Sequence, residues 1–391
     1  RFNGIALSVA FCSLASQAAL AQTKIDTLKV QHLNEVIVKG VRAAKEAPYA
    51  VANIRKPELK QFSCSGQELP FLLSRTPGIL AWSENGIGTG TTYMRIRGAA
   101  GSRINVTLDG VALNSPEDQT VFWANMNSYS SLLGSIQVQR GVGSSTNGDG
   151  AFGGSISMAT AAPSLTPTAE VTGSFGSYNT YHTGASFSTG LLGKHLIFDG
   201  AYHETATDGY VDGTAGRSGS YYGGLTWLGD NFKISYKNIG NFEKTGQAWN
   251  GVLGGDYNSN FTLLDDGIRT YKDMYKAGLD KFNVLTGDMV RNDKGDYTIT
   301  PYTLRDGSKW DKTTDNFYQN HNILSATWTP GSHWSHSLSL HYTYGYGYYK
   351  EFKNNAKFAK FGLVYYDTEG NFIKKSDFIR KKGLTQHTYG M

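Results

Sequence analysis

A run of strictly alternating residues near the carboxyl end constrains the fold of this chain most. Residues 334–349 read WSHSLSLHYTYGYGYY, and from 337 to 348 leucine and tyrosine occupy one parity and serine, histidine, threonine and glycine the other. Successive side chains of a β-strand point to opposite faces, so the run predicts a long strand with one aromatic and one small polar face. A soluble sandwich could show this alternation too. A water-filled or plugged barrel suits the polar face better than a packed core does.

The amino end has the layout of a secretory signal peptide. Residues 1–21 read RFNGIALSVAFCSLASQAALA, with a basic start, an apolar run and a small-x-small ending. A lipoprotein signal through Cys12 is disfavoured, because Phe11 stands where a small residue is needed. Later in the chain no apolar run reaches the roughly 18 residues of a membrane-spanning helix. The chain is therefore expected to be exported, with Cys64 as its one remaining cysteine and no intrachain disulfide.

Composition excludes one class of partner and fits the barrel hypothesis. The net charge is +5, but basic residues are spread along the chain beside acidic ones, so nucleic-acid binding has no electrostatic footprint. The 47 glycines and 24 tyrosines, with a hydrophobic content of only 39%, are what alternating barrel strands require. An ordinary β-sandwich would also tolerate them.

Beyond residue 165 the alternation recurs at hairpin spacing, with turn residues between the segments. We count about seven or eight strands, each near the roughly 9–11 residues that cross a bilayer when tilted. Residues 243–317 interrupt this rhythm with polar, irregular, glycine- and aspartate-rich sequence. Outer-membrane barrels have short turns on one side and long loops on the other, so this segment is predicted to be a long extracellular loop.

Residues 47–160 predict a small α/β domain that could fill a wide barrel. They combine helix-like and strand-like pieces with closely spaced glycines. Within them, GDGAFGG at residues 148–154 formally matches the dinucleotide-binding pattern G-x-G-x-x-G. That pattern must open a helix, whereas the residues that follow here alternate like a strand, so nucleotide binding is not expected.

Four motifs of this domain, taken together, resemble the plug of a TonB-dependent outer-membrane receptor. They are Arg97-Gly98, VTLDGV at residues 106–111, Arg140-Gly141, and the glycine-rich residues 148–154. Just ahead of the domain, a short segment resembles the TonB box, particularly its form in Bacteroidetes-type sequences, and consists of Leu33, Asn34, Glu35, Val36, Ile37 and Val38. Taken alone, that segment could also be the first strand of a soluble domain.

The resemblance implies an α/β plug domain inside an antiparallel transmembrane β-barrel of about 22 strands. Its expected parts are a signal peptide at 1–21, a TonB-box segment at 22–46, a plug at 47–160 and a partial barrel at 161–391. The first seven or eight barrel strands would be present, and several hundred further residues would be needed to close the barrel. The implied location is the outer membrane, in contact with its lipid.

The family also implies a mechanism and a partner. The outer membrane has no ATP, so a periplasmic TonB protein, driven by the inner-membrane proton gradient, would capture residues 33–38 by strand pairing and disturb the plug. Family members pair plug arginines with barrel glutamates, which assigns Arg97 and Arg140 to anchoring the plug. Bonding of these arginines to plug carbonyls or to solvent is the alternative.

Ligand binding is expected where plug loops and barrel loops meet. The candidates combine aromatic rings, which can stack on a ligand, with polar neighbours, and are Trp82, Asn85, Asp118, Phe122, Trp123, Trp249 and Asn250. The tryptophans could instead pack the plug against the barrel wall.

The expected cargo is a scarce, bulky small molecule or metal chelate, namely a ferric siderophore, haem or cobalamin. A glycan is disfavoured, because importers of glycans usually carry an extra domain ahead of the TonB box. An outer-membrane enzyme is the main alternative, but the sequence has no G-x-S-x-G, no H-E-x-x-H and no Cys/His cluster at metal spacing. A passive porin or adhesin is the second alternative. No catalytic residue, cofactor or metal site is predicted.

Overall fold

The computed structural model describes residues 42–43, 48, 50–142, 151–252, 268–331 and 333–391. The predicted signal peptide at 1–21 and TonB box at 33–38 lie outside the described residues. Two bodies follow each other along the chain, a mixed α/β domain and a large antiparallel sheet, called the wall below. Within the described ranges, no helix has the length and apolar character needed to cross a bilayer.

The α/β domain is built around one mixed sheet. Its elements are β1 (Ala50–Arg55), α1 (Lys56–Ser63), α2 (Leu69–Leu73), β2 (Ile79–Ser83), β3 (Thr92–Ile96), β4 (Ile104–Leu108), β5 (Val111–Ala112), α3 (Tyr129–Leu132), β6 (Leu133–Arg140) and β7 (Gly154–Thr160). The five-stranded sheet has the order β1-β6-β7-β4-β5, in which only β4 and β7 run parallel. Strands β2 and β3 form a separate hairpin.

This domain has its own hydrophobic core. The helices α1 and α2 bury Leu59, Phe62 and Leu72 against sheet residues such as Ile136 and Ile156, all at most 2% exposed. Burial of each such side chain contributes roughly 1.5–3 kcal/mol before chain entropy is subtracted. Most members of this cluster belong to the α/β domain, and Ile239 of the wall completes it, with Ala201 and Tyr222 of the wall packed against it.

The wall is a meander of eight strands in chain order, all antiparallel. The strands are β8 (Thr168–Phe175), β9 (Tyr181–Ser188), β10 (Leu196–Thr207), β11 (Gly216–Leu228), β12 (Phe232–Gly246), β15 (Thr314–Trp328), β16 (His336–Lys357) and β17 (Lys375–Gly390). The expected antiparallel sheet of seven or eight strands is confirmed. In the described residues the outer strands β8 and β17 do not pair, so the sheet is open rather than a closed eight-stranded barrel.

The two faces of the wall have the polarity predicted for a membrane barrel. The face turned away from the α/β domain exposes large apolar and aromatic side chains, among them Phe198, Tyr202, Leu225, Trp227, Ile234, Leu324, Leu338, Leu340, Tyr342 and Tyr346. The inner face buries small polar ones, among them His203, Thr205, Ser218, Ser220, Ser235, His321, Ser325 and Thr343. A soluble sheet would show the reverse arrangement, so the outer face is suited to lipid.

Three asparagines interrupt the apolar outer face, and their amide groups satisfy one another. Asn238 Nδ2 donates to Oδ1 of Asn320 (2.9 Å) and of Asn322 (2.8 Å), and Asn322 Nδ2 donates to Asn320 Oδ1 (2.7 Å). Tyr236 and Tyr221 complete the cluster, because the Tyr236 hydroxyl donates to Asn322 Oδ1 and Asn320 Nδ2 donates to the Tyr221 hydroxyl oxygen. Mutual bonding lowers the cost of placing amides in an apolar surrounding.

Connections at the two ends of the wall differ in length. One end has the short turns 189–195, 229–231 and 329–335, and the other has the long connections 247–313 and 358–374. The irregular segment expected at 243–317 is shorter than the sequence suggested, and its described parts contain regular structure. Strands β12 and β15 extend into both of its ends, and it contains α4 (Tyr271–Lys276) and the hairpin of β13 (Gly287–Arg291) and β14 (Tyr297–Pro301) around a small core of Ile268, Leu279 and Phe282.

The polarity of the wall predicts how it responds to an added charge. Leu324 is 43% exposed on the outer face, whereas Leu363 is 50% exposed in the connection between β16 and β17. In lipid vesicles, Leu324→Lys should lower the free energy of unfolding by about 1–3 kcal/mol, because the ammonium enters the apolar band. Leu363→Lys should leave it unchanged. Equal effects of the two variants in denaturant titrations would contradict a lipid-facing surface.

Candidate functional site

The β2–β3 hairpin presents an exposed aromatic face. Trp82 lies opposite Tyr93, and their rings stack with centroids 5.5 Å apart. The Arg95 guanidinium lies 5.9 Å from the Trp82 ring, within range of a cation–π contact. Leu80, opposite Arg95, completes this surface, and the other face of the hairpin is buried in the core. We call these four residues the Trp82 platform, of which the sequence analysis found only Trp82.

The loop between β2 and β3, residues 84–91, is hydrogen-bonded to the base of the long connection. Glu84 accepts one bond from the Tyr93 hydroxyl (Oε1, 2.5 Å) and another from the Ala248 amide (Oε2, 2.7 Å). Thr91 Oγ1 donates to Gln247 Oε1 over 3.0 Å. Burial raises the pKa of Glu84 more than these two hydrogen bonds lower it. This loop therefore joins the Trp82 platform to the long-loop end of the wall.

Asn85, predicted to bind ligand, shapes this loop from inside. It is buried, its Nδ2 donates to Thr89 Oγ1 (2.5 Å), and its Oδ1 accepts from the Ile87 amide (3.1 Å). The Asn85 carbonyl also accepts from the Tyr210 amide in the β10–β11 connection. In this arrangement Asn85 positions the loop, and its role in ligand contact stays a prediction.

The three candidates from the 114–123 loop fall in different environments. Trp123 is 6% exposed and packs in the core of the α/β domain. Asp118 is exposed and accepts from the Thr120 amide (3.0 Å), which stabilises its own turn. Phe122 is 60% exposed. Of the three, Phe122 and Asp118 are exposed and Trp123 is buried, and the ligand-binding role of all three stays a prediction.

Trp249 belongs to a second aromatic and basic group, on the inner face of β16 and β17. Its ring makes an edge contact with Tyr349 at 5.6 Å. Arg380 donates to the Tyr349 hydroxyl over 2.9 Å, and Lys382 Nζ lies 6.0 Å from the Tyr349 ring. Glu351 forms ion pairs with Arg380 and Lys353. We call Trp249, Tyr349, Arg380 and Lys382 the Trp249 cluster.

Sequence reasoning missed three members of the Trp249 cluster. Tyr349 was read only as part of an alternating strand, and Arg380 and Lys382 only as scattered charge. The sequence feature that could have revealed them is the alternation of their strands, which puts all three on one face of the sheet. Tyr349 pairs with Lys382, and Arg380 lies two residues from Lys382 on the same strand. Asn250, beside Trp249, is exposed. Across the described ranges, no group of three or more His, Cys, Asp or Glu residues is arranged to hold a metal ion.

A buried ion pair joins the α/β domain to the wall. Lys237 Nζ of β12 donates to Asp109 Oδ2 (2.7 Å) and to Thr160 Oγ1 (2.6 Å). Asp109 also accepts from the Thr160 amide over 3.0 Å. Burial alone would raise the pKa of Asp109, but the Lys237 charge and the Thr160 bonds together lower it below its usual value. The charges are reversed relative to the expected pairing of plug arginines with barrel glutamates.

The two arginines assigned to anchoring lie elsewhere. Arg140 Nη1 donates to the Pro77 carbonyl within the same domain (2.7 Å), and Arg97 lies beside Gly141. Arg140 pairs with Gly154, at the end of the sheet opposite Asp109. Among the residues that the structure describes, neither arginine forms an ion pair with a wall carboxylate. Their anchoring role stays a prediction.

Comparison with known families identifies the first domain. A family model described as the TonB-dependent receptor plug domain matches residues 43–155. No curated protein matches the chain by sequence.

Solved structures match the fold of both bodies at low sequence identity. The ferric yersiniabactin uptake receptor of Yersinia pestis is 13% identical with a TM-score of 0.54, covering 80% of this chain and 46% of the receptor. The siderophore receptor PirA of Acinetobacter baumannii is 15% identical with a TM-score of 0.52, and the match covers 88% of this chain and 45% of that receptor. The ferric-catecholate import receptor Fiu of E. coli K12, in its open form, is 12% identical with a TM-score of 0.55, and the match covers 87% of this chain and 45% of that receptor. The chain spans less than half the length of these receptors.

The Asp109–Lys237 pair predicts a large cost when one partner is removed. Lys237→Met should lower the free energy of unfolding by about 3–5 kcal/mol, because Asp109 is left charged and buried. Lys60→Gln is the matched control, since Lys60 and Glu170 also join domain to wall (2.7 Å) but lie in solvent, with side chains 61% and 45% exposed. Denaturant titrations should show no change for the control, and equal effects would contradict the assigned anchor.

The same pair predicts a pH dependence. The folded-state pKa of Asp109 is lowered, so its contribution to stability is present above its unfolded value of about 4 and is lost as pH falls through the folded value. The stability difference between wild type and Lys237→Met should therefore narrow on acidification below about pH 4. Unfolding titrations of both proteins at pH 7 and pH 3 measure this difference. An equal difference at the two pH values would contradict the Asp109–Lys237 ion pair.

Proposed function

Residues 43–155 are the plug domain of a TonB-dependent receptor, and from that premise we propose that the chain is part of an outer-membrane transporter importing a ferric siderophore. One observation carries the proposal most strongly. A plug with its own core lies against the polar inner face of a wall whose outer face is apolar. An enzyme would not require such a plug, and a passive porin or adhesin would not require an energy-coupling segment. Energy-dependent transport requires both.

The residues that follow the proposed TonB box are bonded into the plug sheet. Arg42 donates to Ser135 Oγ (3.0 Å) on β6 and to the Ser157 carbonyl (2.9 Å) on β7. The Ala43 amide donates to Gln137 Oε1 over 2.8 Å. A pull on residues 33–38 by TonB would therefore reach the two central strands of the plug through Arg42 and Ala43.

From strands β6 and β7 the pulling force would be transmitted to the wall. Strand β7 ends at Thr160, whose hydroxyl and amide are bonded to Lys237 and Asp109. The contact between plug and wall is thus polar and ionic at this point, and polar again at Thr91 and Gln247. Hydrogen bonds and ion pairs can exchange with water when a seam opens, whereas an apolar interface would lose its whole burial energy. Ile239, Ala201 and Tyr222 of the wall add apolar contacts with the plug core. The seam is thus polar in part, and its polar part suits a plug that moves as a unit.

The proposed ligand class follows from the chemistry of the two aromatic groups. The Trp82 platform and the Trp249 cluster each place cations beside rings, namely Arg95 in the first and Arg380 and Lys382 in the second. Rings can stack on the flat groups of a ligand, and guanidinium and ammonium groups attract negative charge. An anionic ferric chelate offers both features. The solved neighbours named above include receptors described as taking up ferric yersiniabactin and ferric catecholates.

Energy coupling predicts a separation of binding from transport. Deleting residues 33–38 should abolish uptake of an ⁵⁵Fe-labelled siderophore by cells while its binding at the surface is retained, because the deletion removes the TonB contact and leaves the ligand site intact. Binding lost together with uptake would contradict the coupling role. Haem and cobalamin uptake, assayed in the same strains, tests the cargo class.

The aromatic groups predict where binding is lost. Trp82→Ala and Lys382→Gln should each weaken the binding of ferric catecholates to cells by about three- to tenfold, through lost stacking and lost charge respectively. Trp334→Ala is the control, because Trp334 is 69% exposed at the opposite end of the wall. Equal binding by all three variants and wild type would place the ligand site elsewhere.

A further inference from the structure

Two buried glutamates lie on the two sides of the contact between plug and wall, close enough that the charge of one acts on the other. Glu68 is the N-cap residue of α2 and is 2% exposed, and Glu243 lies on the inner face of β12 and is 3% exposed. Burial, and after it the negative charge of Glu243, raises the pKa of Glu68 well above its usual value. We call these two residues the Glu68–Glu243 pair.

Neighbouring backbone fixes the position of each glutamate. The Glu68 amide donates to the Gly88 carbonyl over 2.8 Å, and the amide of Gly90 is bonded to the Glu68 carboxylate. Gly90 in turn lies against Thr245, which follows Glu243 by two residues on the same face of β12. The loop between β2 and β3 therefore holds the plug glutamate beside the wall glutamate.

Each glutamate has one carboxylate oxygen that lacks a partner. Within the described residues, Oε2 of Glu68 and Oε2 of Glu243 accept no hydrogen bond, and neither residue forms an ion pair. The side chains of Asn241 and Ser220, which are opposite each other on the inner face and at most 1% exposed, also lack partners there. Glu84 differs, because both of its oxygens accept hydrogen bonds. Two carboxylates held close together in a buried site cannot both ionise at low cost.

A proton fits this pair better than a metal ion does. Calcium takes roughly six to eight oxygen ligands. Across the described ranges, no group of three or more His, Cys, Asp or Glu residues is arranged for such an ion. A proton needs only the two oxygens that lack partners, and a protonated carboxyl group donates a short, strong hydrogen bond to a carboxylate.

We propose that Glu68 and Glu243 bind one proton between them at neutral pH, and that the resulting carboxyl–carboxylate hydrogen bond joins the plug to the wall. One carboxyl group carries the proton and donates it to the other carboxylate, so the pair has a net charge of −1. When the seam opens, the proton passes to water and leaves two carboxylates of like charge on opposite sides of the seam. Their repulsion delays reclosure until a proton returns. This role in plug movement rests on the proposed function, whereas the proton site rests on the buried pair alone.

Two further acids face the pair from neighbouring elements. Asp315 of β15 and Glu84 of the β2–β3 loop both place negative charge near Glu243, which favours retention of the proton. Because the folded-state pKa of Glu68 is raised, folding takes up a proton between its unfolded value of about 4 and the folded value. Stability is therefore full below the unfolded value and falls as the pH rises toward the folded value.

Infrared spectroscopy detects the proton directly. In the whole protein, reconstituted in lipid at pH 7, the C=O band of a protonated carboxyl group should be present and should shift when glutamate side chains carry ¹³C. Glu68→Gln and Glu243→Gln should each abolish the band, because the amide then donates to the remaining, ionised glutamate. Glu117→Gln, an exposed plug residue, is the matched control and should retain it. Absence of the band from wild type, or its survival in either test variant, would overturn the proposal.

The pH dependence of unfolding is the second measurement. From pH 5 to pH 9, wild type and Glu117→Gln should unfold at progressively lower denaturant concentration, and Glu68→Gln and Glu243→Gln should lose most of that dependence. Equal pH dependence in all four proteins would contradict a shared proton. A wild-type midpoint that rises with added calcium or sodium and is unaffected by pH would identify a cation site and also overturn the proposal. Neither measurement uses a siderophore, so failure here is distinct from failure of the transport proposal.

Discussion

The reversed polarity of the wall is the constraint on which the rest of this structure depends. The wall turns leucine and tyrosine outward and mainly serine, threonine and histidine inward, with Ile239 and Ile323 among them, so it has too little inward apolar surface to form a core of its own. The backbone bonds are satisfied between strands, and the inner face is left needing polar partners. The plug supplies them, and its own core makes it a folded unit that can do so. The apolar outer face and the mainly polar inner face follow from the same alternation.

The interior of the plug and its contact with the wall are held by different kinds of interaction. Inside the plug, residues such as Leu59, Phe62 and Ile136 are held by burial. Between plug and wall, the contacts include an ion pair at Asp109 and hydrogen bonds at Thr91 and Glu84. Hydrophobic cores resist deformation, whereas polar contacts can be replaced by water. Burial therefore holds the plug together, whereas its contact with the wall combines polar bonds with the apolar contact of Ile239.

The sequence predicted the elements of this protein better than the contacts between them. Strict alternation in β16 was enough to indicate the polarity of the wall, and the glycine-punctuated motifs indicated the plug. The sequence could not indicate that Lys237 would meet Asp109, since 128 positions separate them and only the docking of plug on wall brings them together. Trp82 was found because tryptophan is rare and conspicuous. Tyr93, Arg95 and Arg380 were missed because their significance depends on strand register, which the sequence does not give.

Spin labels on neighbouring residues of β16 test the central claim most directly. In a Cys64→Ser background, labels at Tyr342→Cys and Thr343→Cys lie on the outer and inner faces of the wall, 42% and 6% exposed respectively. In lipid vesicles, the label at 342 should be accessible to dissolved oxygen and protected from a water-soluble nickel chelate, as in lipid. The label at 343 should be protected from both by the plug. A label at 342 accessible to nickel, with one at 343 accessible to oxygen alone, would contradict a lipid-spanning wall filled by the plug.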